Sequence, residues 1–182
     1  MKKIIGICGS FRVGSYNRML LKNIASSAPE GVEVDIIESI EAPIFNEDSE
    51  VGNFPNNISE VVKKIQSADG VIIATPEYNR SIPGGLKNFL DWTSRGDAVK
   101  CWDKKIVAIV GASSGNLGTV SAQHDLKKVL LYFGARVIGK PEFYMGQNKS
   151  KFGEGGLITD ESTRDLINKF WGNYSEILNE KN

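Results

Sequence analysis

The sequence predicts an α/β protein: a doubly wound parallel sheet of five strands with helices on both faces. Three observations lead there. Short apolar runs alternate with helix-period segments through all 182 residues. Two of those runs, Val71 to Thr75 and Ile106 to Val110, show no alternation of apolar and polar residues, as strands covered on both faces should not. Finally, polar small-residue loops follow three of the strands, at Gly9 to Asn17, Pro76 to Ser81 and Gly111 to Gly118. Sheets of this class bind ligands outside the carboxyl ends of their strands, so three such loops at one edge mark a site.

In chain order, Ile4 to Cys8 is the first strand, and Met19, Leu20, Ile24 and Ala28 mark one face of the helix that follows. Val32-Glu33-Val34-Asp35-Ile36 alternates, which suits a half-exposed strand near a sheet edge. Glu41 to Pro55 has no periodicity and reads as a long loop placed to lie over a site. Pro55 can open a helix with Ile58, Val61, Val62 and Ile65 inward, closed by Asp69-Gly70. After the strand ending at Thr75, a helix starting about Pro83 carries Leu86, Phe89, Leu90 and Trp92. These spread beyond one narrow stripe, so this helix is expected to bury two faces, one of them on another subunit. Val120 to Phe133 gives a further helix, stopped by Gly134. Arg136-Val137-Ile138 and Phe143-Tyr144-Met145 supply a last, interrupted strand, and Thr159 or Asp160 can cap a terminal helix.

Length, composition and the lack of a linker or repeat fit one domain spanning residues 1–182. Lysine plus arginine balance aspartate plus glutamate at 22 each, so no global field favours nucleic acid or an acidic membrane. The amino-terminal strand is too short for a membrane segment, and a reducing cytoplasm is the expected location. Cys8 reads as a small hydrophobe and Cys101 as a residue of a polar loop; neither has metal-ligand spacing. His124 lacks a metal partner or nucleophile and reads as structural, while Trp92, Trp102 and Trp171 read as core or interface residues.

The first loop carries donors suited to an anion. A strand feeding a small-residue turn that opens a helix aims helix-start amides outward, and Ser10, Arg12, Ser15 and Asn17 add side-chain donors. That inventory matches a phosphate monoester. The loop is not a dinucleotide fingerprint, since Phe11 replaces the second glycine, and no Gly-Lys-Ser/Thr makes it a Walker loop. A serine-rich turn with a helix cap would look the same from this loop alone. In the second loop Pro76 stiffens the strand exit, with free backbone amides expected after it. Asn79 can donate and accept towards a heteroaromatic edge, and Tyr78 offers a flat surface with a polar tip. The third loop, Gly111-Ala112-Ser113-Ser114-Gly115, lets backbone pass close to a ring.

With these loops placed, the chain resembles the NADPH-dependent FMN reductases, flavodoxin-like proteins that include bacterial quinone, chromate and azo-dye reductases. The resemblance rests on Gly9-Ser10-Phe11-Arg12 with Ser15-Tyr16-Asn17-Arg18, on Pro76-Glu77-Tyr78-Asn79 with Ser81-Ile82-Pro83-Gly84 and Leu86-Lys87-Asn88 through Asp91-Trp92, and on Gly111-Ala112-Ser113 with Gly115. It implies a flavodoxin-like sheet of order 2-1-3-4-5 and an FMN cofactor reduced by NADPH or NADH. It places Ser10, Arg12, Ser15 and Asn17 on the FMN phosphate, with Tyr16 in the same loop. Pro76, Glu77, Tyr78 and Asn79 would border the isoalloxazine and ribityl chain, with Ser113 and Gly115 on the third side. No catalytic side chain is implied, because the flavin carries the chemistry. The resemblance further implies a small oxidant as acceptor (a quinone, azo compound, chromate or free flavin), ping-pong turnover, and a homodimer or homotetramer. Where the family often has proline, a Gly-Gly pair and arginine in the third loop, this chain has Ser114, Gly118-Thr119 and Ser121, which bears on nicotinamide-nucleotide affinity and assembly. A non-enzymatic FMN electron carrier or redox sensor is the alternative, although the balanced charge is unlike an acidic flavodoxin-type carrier.

Overall fold

Apolar β-branched runs do build the centre of the molecule. In the computed structural model, which describes residues 1–49 and 53–180, β1 (Lys2–Cys8), β2 (Val32–Ile37), β3 (Gly70–Ala74), β4 (Ile106–Ala112) and β5 (Arg136–Val137) form a parallel sheet. Its order is β2-β1-β3-β4-β5, the flavodoxin-like order. The last strand is interrupted, as its sequence suggests: β5 pairs with the start of β4, and β6 (Phe143–Met145) pairs with its end. β3 and β4 are buried at every position, whereas β2, the alternating run, is a half-buried edge strand.

Period-two alternation divides the core. Ile5, Ile7, Val71, Ile73, Val107 and Ile109 face α2 (Asn56–Ser67), α3 (Gly84–Thr93) and α4 (Val120–Tyr132). Ile4, Cys8, Ile72, Ala74, Ala108 and Val110 face α1 (Tyr16–Ser26) and α5 (Glu161–Asn179). Side chains such as Ile4, Ile5, Val71 and Ile72 are wholly removed from solvent, each stabilising the fold by about 1.5–3 kcal/mol relative to exposure. The chain passes from β1 outward to β2 and then returns to the other side of β1 for β3, so a crevice opens where these directions diverge.

Two expectations need correction. The Glu41 to Pro55 loop does not roof a ligand cleft; its described part packs on α3. Pro43 O accepts from the buried Trp92 indole Nε1 at 2.8 Å, Phe45 N donates to Asn88 Oδ1 at 2.7 Å, and the Phe45 ring meets Trp92 edge-on. A buried indole N–H requires an acceptor, and this loop brings it; residues 50–52 lie outside the described residues. Cys101 is not in a polar loop either. It ends a short 3₁₀ turn (Gly96–Cys101) packed in the core, and burial pushes its thiol up to about 12. Burial likewise raises the Cys8 thiol, so neither cysteine is a ready thiolate. Trp92, Trp102 and Trp171 are core residues as expected.

Candidate functional site

All three polar loops meet at the carboxyl ends of β1, β3 and β4 around a cleft of about 370 Å³. Of the residues expected there, Ser10, Arg12, Ser15, Tyr16, Asn17, Pro76, Glu77, Tyr78 and Ser113 line it. Asn79 and Gly115 do not. Ala112, Ser114, Asn148 and Lys149 complete the wall, the last two from a fourth loop that follows β6.

The first loop works as a helix start. Ser15 is the N-cap of α1, and its Oγ accepts from Arg18 N at 3.3 Å. The amides of Tyr16 and Asn17, the first of α1, donate to no partner among the described residues. The Arg12 guanidinium lies 5.6 Å from the Tyr16 ring centroid rather than on a carboxylate, which leaves its charge to the cleft. Phe11 locks the loop in place: its ring covers Gly85 on α3, where any Cβ would collide with it. The Asn17 side chain is engaged elsewhere. Its Nδ2 donates to Ala112 O at 2.9 Å and its Oδ1 accepts from Ala112 N at 2.8 Å, tying α1 to the end of β4. One Nδ2 hydrogen is left for a ligand.

The second loop is a tight hairpin turn. Tyr78 and Ser81 exchange backbone hydrogen bonds at 3.2 and 3.0 Å, with Asn79 and Arg80 both left-handed at φ 51° and 66°. That is the geometry of a type I′ turn, in which asparagine is a favoured residue. Of the backbone amides expected free after Pro76, those of Tyr78 and Ser81 are therefore engaged, and the Asn79 side chain is exposed. Glu77 Oε2 accepts from Ser121 N at 2.9 Å and Ala122 N at 3.2 Å, so this carboxylate caps α4 from outside the helix. Ser81 Oγ donates to Asp125 Oδ2 at 2.8 Å. Both contacts clamp the turn to α4.

In the third loop Ser113 Oγ donates to Gly118 O at 2.7 Å, and Ser113 N donates to Met145 O. Gly111 must lack a side chain because Thr119 and the Thr75 carbonyl occupy the space a Cβ would take. The fourth loop is bound to the third: Gln147 N donates to Gly115 O and Asn148 N to Ser113 O. Asn148 is buried, with its Oδ1 unpartnered among the described residues. No sequence motif distinguished it, because only the strand pairing of β6 brings it to the cleft. His124 lies away from the cleft lining, 3.4 Å from Tyr144 Oη. That hydroxyl also donates to Glu142 at 2.9 Å, and burial together with Glu142 pushes Tyr144 up to about 12. Among the described residues no cluster of three histidine, cysteine or carboxylate side chains could hold a metal, and no helix is long and apolar enough to cross a membrane.

Residues 2–150 match the family model of the NADPH-dependent FMN reductases. The chain belongs to that family. It is 37% identical to a 2-hydroxy-1,4-benzoquinone reductase of Burkholderia sp, over 95% of this chain and 94% of that one. It is 36% identical to a quinone reductase of Escherichia coli K12, covering 91% and 89%. A solved flavoenzyme NAD(P)H:(acceptor) oxidoreductase of Paracoccus denitrificans superposes with a TM-score of 0.87 at 31% identity, over 98% and 97% of the two chains. As an FMN reductase family member the protein is an oxidoreductase that uses FMN with a nicotinamide nucleotide as reductant. The cleft fits that cofactor on its own terms. Amides without a partner among the described residues, Arg12 and the Ser10 and Ser15 hydroxyls suit a phosphate, and the volume lies in the usual range for ligand pockets, roughly 300–1,000 Å³.

Proposed function

We propose that this chain is an NAD(P)H-dependent FMN oxidoreductase passing electrons to a small oxidant, in the manner of a quinone reductase. The proposal takes residues 1–182 as one FMN-binding unit in the cytoplasm that assembles into a homodimer or homotetramer. The observation that carries the reading is one cleft in which unpartnered helix-start amides, Arg12 and Lys149 leave positive potential beside glycine- and proline-bearing loop edges. Bound there, FMN supplies hydride acceptance and electron delivery, chemistry that no side chain of the cleft provides.

The chain's own residues hold and orient. Ser10, Arg12, Ser15, Tyr16 and the remaining Asn17 hydrogen take the phosphate end, where Arg12 and Lys149 offset its two negative charges. Pro76, Glu77 and Tyr78 border the ring on one side, with the Asn79 backbone as the turn that shapes them; Ser113 and Gly115 lie along the third loop. Glu77 acts through α4: by capping it, the carboxylate fixes the turn against the sheet edge. Half-exposed Tyr78 leaves the cleft open to solvent on its side. An open side, and flavin chemistry that needs no side-chain acid or base, suit a nicotinamide and an acceptor that enter in turn, which is ping-pong turnover. Quinones, azo compounds, chromate and free flavin are candidate acceptors.

The deciding experiment is the visible spectrum of the purified protein reconstituted with FMN, before and after anaerobic NADPH, followed by benzoquinone. The expected result is a yellow protein bleached within seconds by NADPH and restored by quinone. A protein that binds FMN but is reduced only by another protein is a carrier, and a protein that stays colourless with FMN overturns the reading.

A further inference from the structure

Arg18 stands in the first turn of α1 and does not line the cleft, yet its side chain, only 16% exposed, reaches two other parts of the chain. Nη1 donates to Val13 O in the first loop at 2.8 Å. Nη2 donates to the Glu38 carbonyl just after β2 at 3.4 Å, and Nε lies 3.5 Å from Glu38 Oε2. Lys22 holds the other oxygen of that carboxylate at 2.6 Å, so Glu38 is fixed from both sides. Among the described residues no other hydrogen bond holds the peptide between Val13 and Gly14, at the tip of the loop. The Arg12 guanidinium lies against this tip, since a Cβ on Gly14 would stand 3.5 Å from Arg12 Nη2. A trans peptide is planar, so holding its carbonyl also fixes where its N–H points. A guanidinium suits this task because its planar fork offers several donors in set directions, whereas an ammonium is a single point.

We propose that Arg18 is a positioning residue: a strut from the end of β2 that sets the Val13–Gly14 tip, and through it the Arg12 charge, before an anion arrives. The inference rests on the FMN reading above and adds no contact to the cofactor. A loop held in its binding shape loses less freedom when the ligand enters, which tightens binding without a new interaction. A buried arginine near an anion site has a second way to act, through the field of its own charge. The two roles give Glu38 opposite parts. As a charge, Glu38 opposes a bound phosphate and offsets Arg18; as an anchor, it keeps the guanidinium on Val13 O and so helps the phosphate. The geometry favours the anchor, because all three guanidinium nitrogens are engaged by Val13 and Glu38 and the Glu38 carboxylate sits against the charge.

The test is fluorescence titration of apoprotein with FMN and with riboflavin, which lacks the phosphate, at low and at high salt. Arg18→Ala is expected to raise the Kd of FMN about tenfold, by the same factor at both salt concentrations, and to leave riboflavin within about twofold. The α1 cap survives this change, because Ser15 Oγ accepts from the Arg18 backbone N. Arg18→Lys keeps the charge without the fork and is expected to lose as much. Glu38→Ala is expected to raise the Kd of FMN about threefold, although it removes a negative charge. Lysine that restores FMN affinity, a loss that vanishes at high salt, or Glu38→Ala that tightens FMN makes Arg18 a field charge and overturns the proposal. Equal weakening of riboflavin makes it a residue of the fold alone and overturns it too. Should both Arg18 variants fail to fold, Glu38→Ala, at a half-exposed side chain, answers by sign: weaker FMN binding supports the strut, and unchanged or tighter binding overturns it. Wild-type apoprotein that binds no flavin overturns the FMN reading itself, whereas FMN bound equally by wild type and Arg18→Ala overturns only the role of Arg18.

Discussion

Among the described residues the amides that open α1 have no hydrogen-bond partner and the Arg12 charge has no carboxylate, whereas in the second loop the Glu77 and Ser81 side chains are held by α4. Both loops follow buried strands, both open helices, and both read as ligand loops. They differ in what their polar groups are already doing. A donor left unpaired at a helix start is a binding site waiting for an anion, because burial without a partner would otherwise cost stability. A carboxylate that already accepts two amides is architecture, and its influence on a ligand passes through the position of the loop. The first loop should therefore respond to substitution in affinity, and the second in stability.

The largest expected effect lies in the first loop. Ser15→Asp sets a carboxylate against the phosphate; like charges about 4 Å apart at an effective dielectric near 20 repel by about 4 kcal/mol, roughly a thousandfold in Kd. Aspartate caps a helix as well as serine does, so the melting temperature of the apoprotein should hardly move, and riboflavin should bind as before. Titration with FMN and riboflavin checks this, and unchanged FMN affinity places the phosphate elsewhere. Glu77→Ala tests the other side of the comparison. It removes a charged acceptor from two α4 amides, and urea denaturation of the apoprotein should show a loss of about 2 kcal/mol. If stability holds while flavin affinity collapses, the division between the loops is wrong.

Smaller effects sharpen it. Arg12→Ala should weaken FMN about tenfold at low salt, with a difference that narrows as ionic strength rises, because the Arg12 charge is open to solvent. A salt-independent loss would point to packing on Tyr16 instead. The smallest is Asn79→Leu. The left-handed φ of 51° disfavours a branched side chain, so the apoprotein should lose about 1 kcal/mol. Flavin affinity should stay within twofold, since the Asn79 side chain does not line the cleft. A large change in the flavin reduction potential would restore Asn79 to the site.

Much of this molecule is written locally. Continuous runs such as Val71 to Ala74 can only be strands covered on both faces, and the alternating Val32 to Ile36 run can only sit near an edge, because side-chain period and burial are properties of a few consecutive residues. The three loops at the carboxyl ends were legible for the same reason: small and polar residues interrupt apolar runs at the point where a parallel sheet leaves its ligand crevice. What each side chain does there was not. That Asn17 is tied to Ala112, Glu77 to α4 and Ser81 to Asp125 depends on residues about 44 to 95 positions apart meeting in space. The described part of the Glu41 to Pro55 loop lies on α3, where Pro43 O meets the buried Trp92 N–H that needs an acceptor, a demand invisible in the loop's own composition. Asn148 reaches the cleft only because β6 continues the edge beside β4 and sets the next turn onto the third loop. Local sequence determines which segments are strands, helices and ligand-side loops; only the assembled sheet decides which of their polar groups are satisfied by the protein and which are left for a ligand.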